Sequence, residues 1–246
     1  MENKKTIKFY IALWLAKFST KILKLLKRNA TSFPGDLAIK ICPNFLGILE
    51  KPKTIIGITG TNGKTTVSNM INDILTENGY DFVNNKYGSN IDRGITTTLI
   101  NASDMHGRTK KELAVLEIDE RSANKVYPYL TPKYLICTNI FRDSLMRNAH
   151  TEFIADILTK YIPKETIMIE NADDIICSHI AENNKRIFFG IDRLDTDTTY
   201  FENITRDIRI CPKCYAKLEY DYVRYHHIGK AHCPNCDYNT PDADYL

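Results

Sequence analysis

The sequence contains no hydrophobic run long enough to cross a membrane, and this absence sets the first limit on its class. A membrane-spanning helix needs about 20 consecutive apolar residues, whereas the longest candidate, residues 9–16, ends at Lys17. A secretory signal peptide is also a poor match, because residues 4–28 keep adding lysines and do not end in a small-residue cleavage site. The region therefore predicts neither a span nor a cleaved leader.

The sequence also lacks a strong excess of either charge. Its 33 basic and 30 acidic residues give a net charge of +3 and a pI of about 8.3, which is too mild to predict a nucleic-acid partner. Hydrophobic residues make up 43% and charged residues 26% of the 246 positions, so disordered, collagenous and coiled-coil classes are excluded. What remains is a globular protein of one large domain or two small ones with a sizeable core.

An amphipathic, basic helix is predicted near the N-terminus. At helical spacing an apolar set shares one face and a basic set falls on another, and no acidic residue occurs between Glu2 and Asp36. The simpler interpretation is a helix packed on its own domain, and the alternative is a helix that touches an anionic membrane surface. Pro34-Gly35 is predicted to form the turn that ends this region. The apolar set is Ile7, Ile11, Trp14, Leu15, Phe18, Ile22 and Leu25, and the basic set is Lys17, Lys24, Lys27 and Arg28.

Short apolar runs alternate with helical patterns through the middle of the chain. Helical spacing is clearest over residues 64–78 and 151–161. Alternation of this kind predicts an α/β fold, with a parallel sheet covered by helices on both faces. In such sheets ligands bind at the carboxyl ends of the strands. The predicted strands are residues 54–59, 113–118, 134–138, 166–169 and 186–189.

A glycine-rich segment, residues 57–66, joins the first predicted strand to the first predicted helix of this pattern. Glycines let backbone N–H groups close around phosphate oxygens, and a helix N-terminus adds a positive field. Lys64 can then reach the outer phosphates and Thr65 can offer its hydroxyl to Mg²⁺. The run differs from a strict Walker A pattern at Ile58, and the alternative is a glycine-rich turn with an incidental lysine. The other predicted loop residues are Gly60, Thr61, Asn62, Gly63 and Thr66.

Four of the seven cysteines form two close pairs separated by eighteen residues. This spacing is typical of a zinc ribbon, in which four thiolates close a tetrahedral shell around a structural Zn²⁺. The alternative is a set of reduced thiols without metal. A nearby histidine (His226, His227 or His232) could replace one cysteine, and the ribbon's basic residues are offset by acidic ones, which disfavours nucleic acid. The predicted ligands are Cys211, Cys214, Cys233 and Cys236, whereas Cys42, Cys137 and Cys177 are predicted to be ordinary buried residues.

The segment G-x-T-G-T-N-G-K-T-T at residues 57–66 resembles the ATP loop of Mur ligases and their folylpolyglutamate synthase relatives. The resemblance implies an enzyme that makes an acyl phosphate from a carboxylate and ATP and lets an amine displace the phosphate. Glu117 is similar to the family's Mg²⁺-binding glutamate at a strand end, with a solvated acid as the alternative. Asn171, in residues 171–174, is similar to the family's adenine-contacting asparagine, with a turn former as the alternative.

The ribbon narrows the resemblance to the MurT-like branch of the family, and residues 31–35, 85–94 and 139–143 match it locally. The resemblance implies ATP-dependent activation of the α-carboxylate of D-glutamate in the lipid II stem peptide, followed by amidation to isoglutamine. The implied ammonia source is a partner glutamine amidotransferase of the GatD type, and no nucleic-acid partner is expected. The implied location is the cytoplasm, and the basic helix leaves open a peripheral position at the inner face of the membrane.

Three regions are expected along the chain. These are an N-terminal helix and lead-in at residues 1–50, a Mur-ligase-like ATP-binding domain at 51–205 and the zinc ribbon at 206–246. Only 53 residues precede Thr54 and ten follow Cys236, so we expect a separate UDP-binding domain, the rest of the central domain and the family's C-terminal domain to be absent. Residues 144–150 also depart from the family pattern. The alternative function is therefore a nucleotide- and zinc-binding subunit without ligase activity of its own.

Overall fold

The computed structural model describes residues 4–86, 88–142, 151–201 and 208–246. Its centre is a six-stranded sheet in the order β2-β3-β1-β4-β5-β6, in which every neighbouring pair is parallel. The predicted parallel α/β fold is confirmed, and a short strand, β2, extends the sheet beyond β3. The strands are β1 Thr54–Thr59, β2 Phe82–Asn84, β3 Leu113–Glu117, β4 Tyr134–Cys137, β5 Ile167–Asn171 and β6 Arg186–Phe189.

Seven α-helices lie among the described residues. The helix predicted after the glycine-rich segment is α4, and it ends before Gly79, whose φ of 72° suits a helix C-terminus. The helix predicted over residues 151–161 is α7. The helices are α1 Ile7–Leu25, α2 Phe33–Ile41, α3 Phe45–Ile48, α4 Lys64–Glu77, α5 Asp92–Asn101, α6 Ala123–Val126 and α7 Thr151–Tyr161, with short 3-10 helices at Glu120–Ser122 and Cys177–His179.

Strand β1 lies in the middle of the sheet and positions the site. It pairs with β3 on one side and with β4 on the other, so that Ile58 is opposite Glu117 and Thr59 is opposite Cys137. Ile58 is fully buried, as expected for a strand covered on both faces. The carboxyl ends of the three central strands therefore open at one edge of the sheet, where α4 begins.

The predicted N-terminal helix is present, but it does not pack through its apolar stripe. Helix α1 buries Phe9, Leu13 and Ala16 against the rest of the molecule, whereas Trp14 and Phe18 on the opposite side are exposed. The expectation that the helix packs on its own domain is met, but through the other face. Among the described residues, none of the helices has the length and hydropathy that crossing a bilayer requires.

The turn predicted at Pro34-Gly35 is wrong, because both residues lie in the first turn of α2. Proline is favourable there, since its missing N–H would have no partner within the helix. Gly35 is required for packing: its N–H donates to Thr97 Oγ1 at 2.8 Å, and a Cβ would collide with the carbonyl oxygen of Arg93 on α5. The dipeptide therefore joins two helices closely.

The C-terminal region forms an antiparallel hairpin of β7, Glu219–Tyr225, and β8, Ile228–His232. The hairpin is attached to the end of β5, because Ile228 bridges to Asp174 and Gly229 N donates to Asp173 O at 2.8 Å. Near the C-terminus, Tyr245 pairs in parallel with Phe189 of β6. The expected boundary between residues 205 and 206 lies outside the described residues.

Candidate active site

The glycine-rich segment forms an open turn between β1 and α4. Gly60 has a φ of 122° and Gly63 a φ of 81°, both in the left-handed region that glycine adopts without strain. A Cβ on Gly60 would lie against the hydroxyl of Thr138 and 2.8 Å from the carbonyl oxygen of Asn139. Nothing lies within 4 Å of the corresponding position on Gly63. One glycine thus allows close packing on the neighbouring loop, and the other leaves the turn open to solvent.

The residues that follow β4 hold this turn in shape. Thr61 N donates to Asn139 O at 2.8 Å, and Asn62 N donates to Asn139 Oδ1 at 3.0 Å. Asn139 Nδ2 donates back to Asn62 O at 3.1 Å, and Phe141 N donates to Thr61 Oγ1 at 2.9 Å. The hydroxyl of Thr61 and the backbone of Asn62, both predicted as loop residues, thus lie where the turn is fixed. Asn139 was visible in the sequence only as part of a family match.

The N-terminus of α4 is available to an anion. The first main-chain hydrogen bond that runs into the helix is from Val67 N to Gly63 O, at 3.0 Å. The N–H groups of the first helical turn precede this bond, and such groups have no intrahelical acceptor. Gly63, Thr65 and Thr66 are exposed at this point. The backbone therefore presents donors and a positive helix end to the same open space, which is the arrangement that binds phosphate.

Lys64 is folded back onto the turn. Its ammonium group donates to the carbonyl oxygens of Gly60 and Thr61 and lies 3.3 Å from Glu120 Oε2. The side chains of the pair are 12% and 5% exposed, so the contact is largely shielded from water. The lysine lies at the start of α4, beside the candidate phosphate site, and its contact with phosphate stays a prediction. Its acidic partner was missed, although Glu120 follows Glu117 by three residues at the same strand end.

Thr65 and Glu117, the two predicted Mg²⁺ ligands, are in contact. Thr65 Oγ1 donates to Glu117 Oε2 at 2.9 Å, and Asn90 Nδ2 donates to Glu117 Oε1 at 3.0 Å. Asn85 exchanges two hydrogen bonds with the backbone of Glu117 and so fixes the end of β3. An exposed hydroxyl and a half-buried carboxylate suit Mg²⁺, which takes few protein oxygens and completes its shell with phosphate and water. The residues present therefore fit this ion.

Asn171 ends β5, and its side chain is engaged within the protein. Its Nδ2 donates to Thr138 O at 3.1 Å, and its Oδ1 accepts from Asp173 N at 3.0 Å. The second contact is the geometry of an asparagine turn. Asn171 therefore lies beside the loop that supports the glycine-rich turn between β1 and α4, and its contact with adenine stays a prediction. Tyr87, Asp143 and residues 144–150, which belong to or follow the family matches, lie outside the described residues.

The four predicted zinc ligands come together. The Sγ atoms of Cys211 and Cys236 are 3.5 Å apart, those of Cys214 and Cys233 are 3.3 Å apart, and all four lie within 4.8 Å of one another. A tetrahedral Zn²⁺ with Zn–S bonds of about 2.3 Å needs sulfurs roughly 3.8 Å apart. The cluster fits a closed, structural zinc site. The remaining cysteines are buried as predicted.

The tip of the C-terminal hairpin reaches the loop that holds the phosphate turn. His227 Nε2 lies 3.0 Å from Asp174 Oδ1, and both side chains are buried. Asp174 Oδ2 accepts from Ile140 N at 2.8 Å, and the rings of His227 and Phe141 are 4.8 Å apart. His227, one of the three histidines considered as a replacement for a cysteine ligand, thus contacts Asp174. The ribbon is connected to the candidate site through residues 138–141.

The family model for the Mur ligase middle domain matches residues 58–235. This range includes the turn after β1, the end of β3 and three of the four clustered cysteines. The match ends at residue 235, so Cys236, the fourth cysteine of the cluster, lies one residue beyond it. All of the sheet except the first four residues of β1 therefore falls inside one known domain type, together with the loops that position the site.

Individual proteins resemble the chain over nearly its whole length. It is 33% identical over 240 residues to the lipid II isoglutaminyl synthase (glutamine-hydrolyzing) subunit MurT of Staphylococcus aureus strain COL, covering 96% of this chain and 53% of that protein. The MurT subunit of Streptococcus pneumoniae is 32% identical, with 97% and 53% covered. The chain thus spans about half the length of the curated relatives it matches. A pseudomurein peptide ligase type C from Methanothermus fervidus has a similar structure, with a TM-score of 0.57 and 26% identity over 82% of this chain and 39% of that one.

Proposed function

Because this chain belongs to the Mur ligase family, we propose that it is the nucleotide-binding part of a ligase that uses ATP to join a carboxyl group to an amine. The observation that carries the proposal is the turn at residues 60–66, which presents backbone donors and Lys64 opposite the Thr65–Glu117 pair. A triphosphate needs donors on one side and a place for a divalent cation on the other.

Different residues of the site would bind the phosphates and stabilise their charge. The N–H groups at the start of α4 would hold the phosphate oxygens, and Lys64 would leave Glu120 to contact the outer phosphates. Thr65 and Glu117 would hold Mg²⁺, which when bound neutralises charge on the phosphate oxygens. Positioned donors of this kind lower the barrier by stabilising charge that develops during phosphoryl transfer. Asn171 would contact adenine.

For the reaction, we propose lipid II amidation. The α-carboxylate oxygen of D-glutamate in the stem peptide attacks the γ-phosphorus of ATP, and ADP leaves. Ammonia then attacks the acyl carbon, inorganic phosphate leaves, and isoglutamine is formed. A GatD-type glutamine amidotransferase would supply the ammonia. Support comes from the 33% identity with the Staphylococcus aureus MurT subunit over 96% of this chain.

A second candidate is a nucleotide- and zinc-binding subunit that forms no amide on its own. The features that fit it are the glycine-rich turn and the four clustered cysteines, in a chain that spans 53% of the length of the MurT relatives. An assay of lipid II amidation with ammonia, ATP and Mg²⁺, with and without an amidotransferase, distinguishes the two. Isoglutamine formed by this chain with ammonia alone would exclude the second candidate.

The nucleotide site is tested by the affinity for Mg·ATP. Lys64→Ala removes a charged donor to phosphate, and we expect the Kd measured by calorimetry to rise by roughly 10- to 100-fold. Lys160→Ala, which removes an exposed lysine on α7, is the matched control and should bind like the parent. Equal affinities for the parent and Lys64→Ala would contradict the assignment of the phosphate turn.

A further inference from the structure

Helix α1 exposes a continuous apolar stripe along its length. Trp14 is 49% and Phe18 61% exposed, and the ends of the stripe, Ile7 and Leu25, are 80% and 83% exposed. The helix has 19 residues, so the stripe is about 28 Å long at 1.5 Å per residue. Single exposed apolar residues are normal, but a contiguous apolar patch marks an interaction surface. The stripe consists of Ile7, Ile11, Trp14, Leu15, Phe18, Ile22 and Leu25.

The stripe is held outward by contacts on the other sides of the helix. Phe9 and Leu13 are fully buried on the opposite face. Lys17 Nζ donates to Ile100 O at 2.7 Å and to Ser103 O at 2.8 Å, and Trp14 Nε1 donates to Met105 O at 2.9 Å. A rotation that buried the stripe would break these bonds and expose the core face. The apolar surface is therefore a fixed feature of the fold.

The charges on α1 and on the residues that flank it in the chain have one sign. Residues 3–35 contain eight lysines and arginines and no acidic residue. Of these, Lys8, Lys21 and Lys24 are exposed on the helix beside the stripe, and Lys27 and Arg28 are exposed just beyond its C-terminal end. An apolar face bordered by cations matches a surface that combines negative charge with an apolar interior. The eight are Lys4, Lys5, Lys8, Lys17, Lys21, Lys24, Lys27 and Arg28.

We propose that the stripe of α1 binds the surface of an anionic lipid bilayer. Its apolar side chains would enter the boundary between headgroups and acyl chains, and the lysines would stay among the headgroup phosphates, as in other interfacial helices. A second copy of this chain fits less well, because a symmetric contact would bring two wholly basic segments together. This inference does not rest on the proposed ligase chemistry.

A recess beside the stripe supports the choice of a lipid surface. A cavity of about 550 Å³ is lined by Trp14 and Phe18 and by Lys17, Lys21, Lys24 and Lys110, with Asp104 as the acidic residue of its wall. Burial lowers the pKa of Lys17, and the neighbouring Lys110 lowers it further. Clustered ammonium groups that repel one another in the free protein are stabilised by an anion, and a bilayer supplies anionic headgroups at the depth of the lysines.

The experiment uses the 246-residue chain and two kinds of vesicle, one of phosphatidylcholine and one of equimolar phosphatidylcholine and phosphatidylglycerol. Trp14 is the one tryptophan of the sequence, so its fluorescence reports directly on the stripe. We expect a blue shift and co-sedimentation with the anionic vesicles, both weakened by added salt. Equal binding to both kinds of vesicle, or no binding to either, would overturn the proposal.

Two pairs of variants separate the apolar and the charge contributions. Phe18→Glu should weaken binding at least about tenfold, whereas Phe153→Glu, at a position on α7 that is 63% exposed, should not. Lys21→Glu changes the charge by two units and should weaken binding by roughly 25-fold, at roughly fivefold per unit of charge, whereas Lys160→Glu should not weaken it. Unchanged circular dichroism confirms folding, and Ile7→Asp at the exposed end of the helix is the second apolar variant.

Two outcomes would assign the stripe elsewhere. If Phe18→Glu and Ile7→Asp bind vesicles like the parent, the stripe is not the lipid-binding surface. If sedimentation equilibrium shows a dimer that Phe18→Glu dissociates, the stripe is a self-association surface. Lys64→Ala should bind vesicles like the parent, so that a failure of the nucleotide assignment and a failure of this proposal remain distinguishable.

Discussion

Glu170 on β5 is a carboxylic acid buried in the sheet. It is fully inaccessible, and neither carboxyl oxygen has a hydrogen-bond partner among the residues that the structure describes. Burial raises its pKa to about 8, although Arg186 acts in the opposite direction. The folded protein therefore keeps this group protonated at neutral pH, whereas the unfolded chain ionises it near pH 4.5.

This difference predicts a loss of stability as pH rises. A pKa that is higher in the folded state gives stability that is complete below the unfolded pKa and is lost as pH rises through about 8. The glutamine of Glu170→Gln cannot ionise, so the variant should gain stability relative to the parent between pH 5 and pH 9. We expect a gain of up to about 4 kcal/mol in the free energy of unfolding, measured as a rise in melting temperature relative to the parent. Glu152→Gln, exposed on α7, is the control. Parallel pH profiles for Glu170→Gln and the parent would contradict the buried acid's role.

At the scale of single residues, the sequence indicates candidate site residues better than it indicates their hydrogen-bond partners. Lys64, Thr65 and Glu117 could be proposed as site residues because a glycine-rich turn and a strand end restrict what their side chains can do. Glu120 and Asn139 could not, because their partners, Lys64 Nζ and the backbone of Asn62, lie 56 and 77 residues away in the chain. Only the pairing of β1 with β3 and β4 brings these residues together.

At the scale of elements, α1 shows why periodicity alone cannot choose the packed face. Apolar residues occupy both sides of this helix: Phe9 and Leu13 on one, Trp14 and Phe18 on the other. The buried side also carries Ala12 and Ala16, which allow close approach to neighbouring helices. The exposed side is richer in large residues, so a count of apolar side chains favours the wrong face.

The junction of α2 with α5 gives a prediction at the same scale. Gly35→Ala places a methyl group against the carbonyl of Arg93 and 2.8 Å from Thr97 Oγ1, so the helices must move apart. We expect a loss of about 1–3 kcal/mol in the free energy of unfolding measured by urea denaturation. Gly88→Ala, whose Cβ would meet no atom closer than 3.4 Å, should change stability little. A Gly35→Ala variant as stable as the parent would show that α2 and α5 are loosely packed.

At the scale of the whole molecule, the ribbon and the nucleotide turn form one connected structure. The hairpin tip is linked through His227 and Asp174 to Ile140 N, and Phe141 N is bonded to Thr61 Oγ1. The clustered cysteines fix the hairpin from the other end. A structural metal in the ribbon would thus stabilise the loop on which the phosphate turn rests.

This connection predicts that metal removal weakens nucleotide binding. Elemental analysis of reduced protein should find one zinc per chain, bound by the cluster of four cysteines. Removal of this zinc should raise the Kd for Mg·ATP several-fold, while the far-UV circular dichroism stays largely unchanged. His227→Ala should raise it in the same direction, because it breaks the link to Asp174. His232→Ala, a half-exposed histidine of β8, is the control. An unchanged Kd for Mg·ATP, both after zinc removal and in His227→Ala, would show that the ribbon does not affect the nucleotide site.

The overall architecture was accessible from the sequence because each predicted strand is a short run rich in apolar residues with a clear end. Strand β2 is only three residues long, too short for periodicity to predict. The attachment of the hairpin to β5 depends on a few long-range contacts, such as Ile228 with Asp174, and these leave no local pattern.

The contact of Lys64 with Glu120 has a consequence for ligand choice. Before any nucleotide arrives, the ammonium group already has an anion and two carbonyl oxygens around it. The proposed nucleotide binding would therefore exchange one anion for another, and a lone sulfate or orthophosphate would gain little by replacing a carboxylate that is already in place. A chain of linked phosphates, held at the helix start and by a divalent cation at once, can complete the exchange. The turn would thus discriminate by length against the small anions that are abundant in cells.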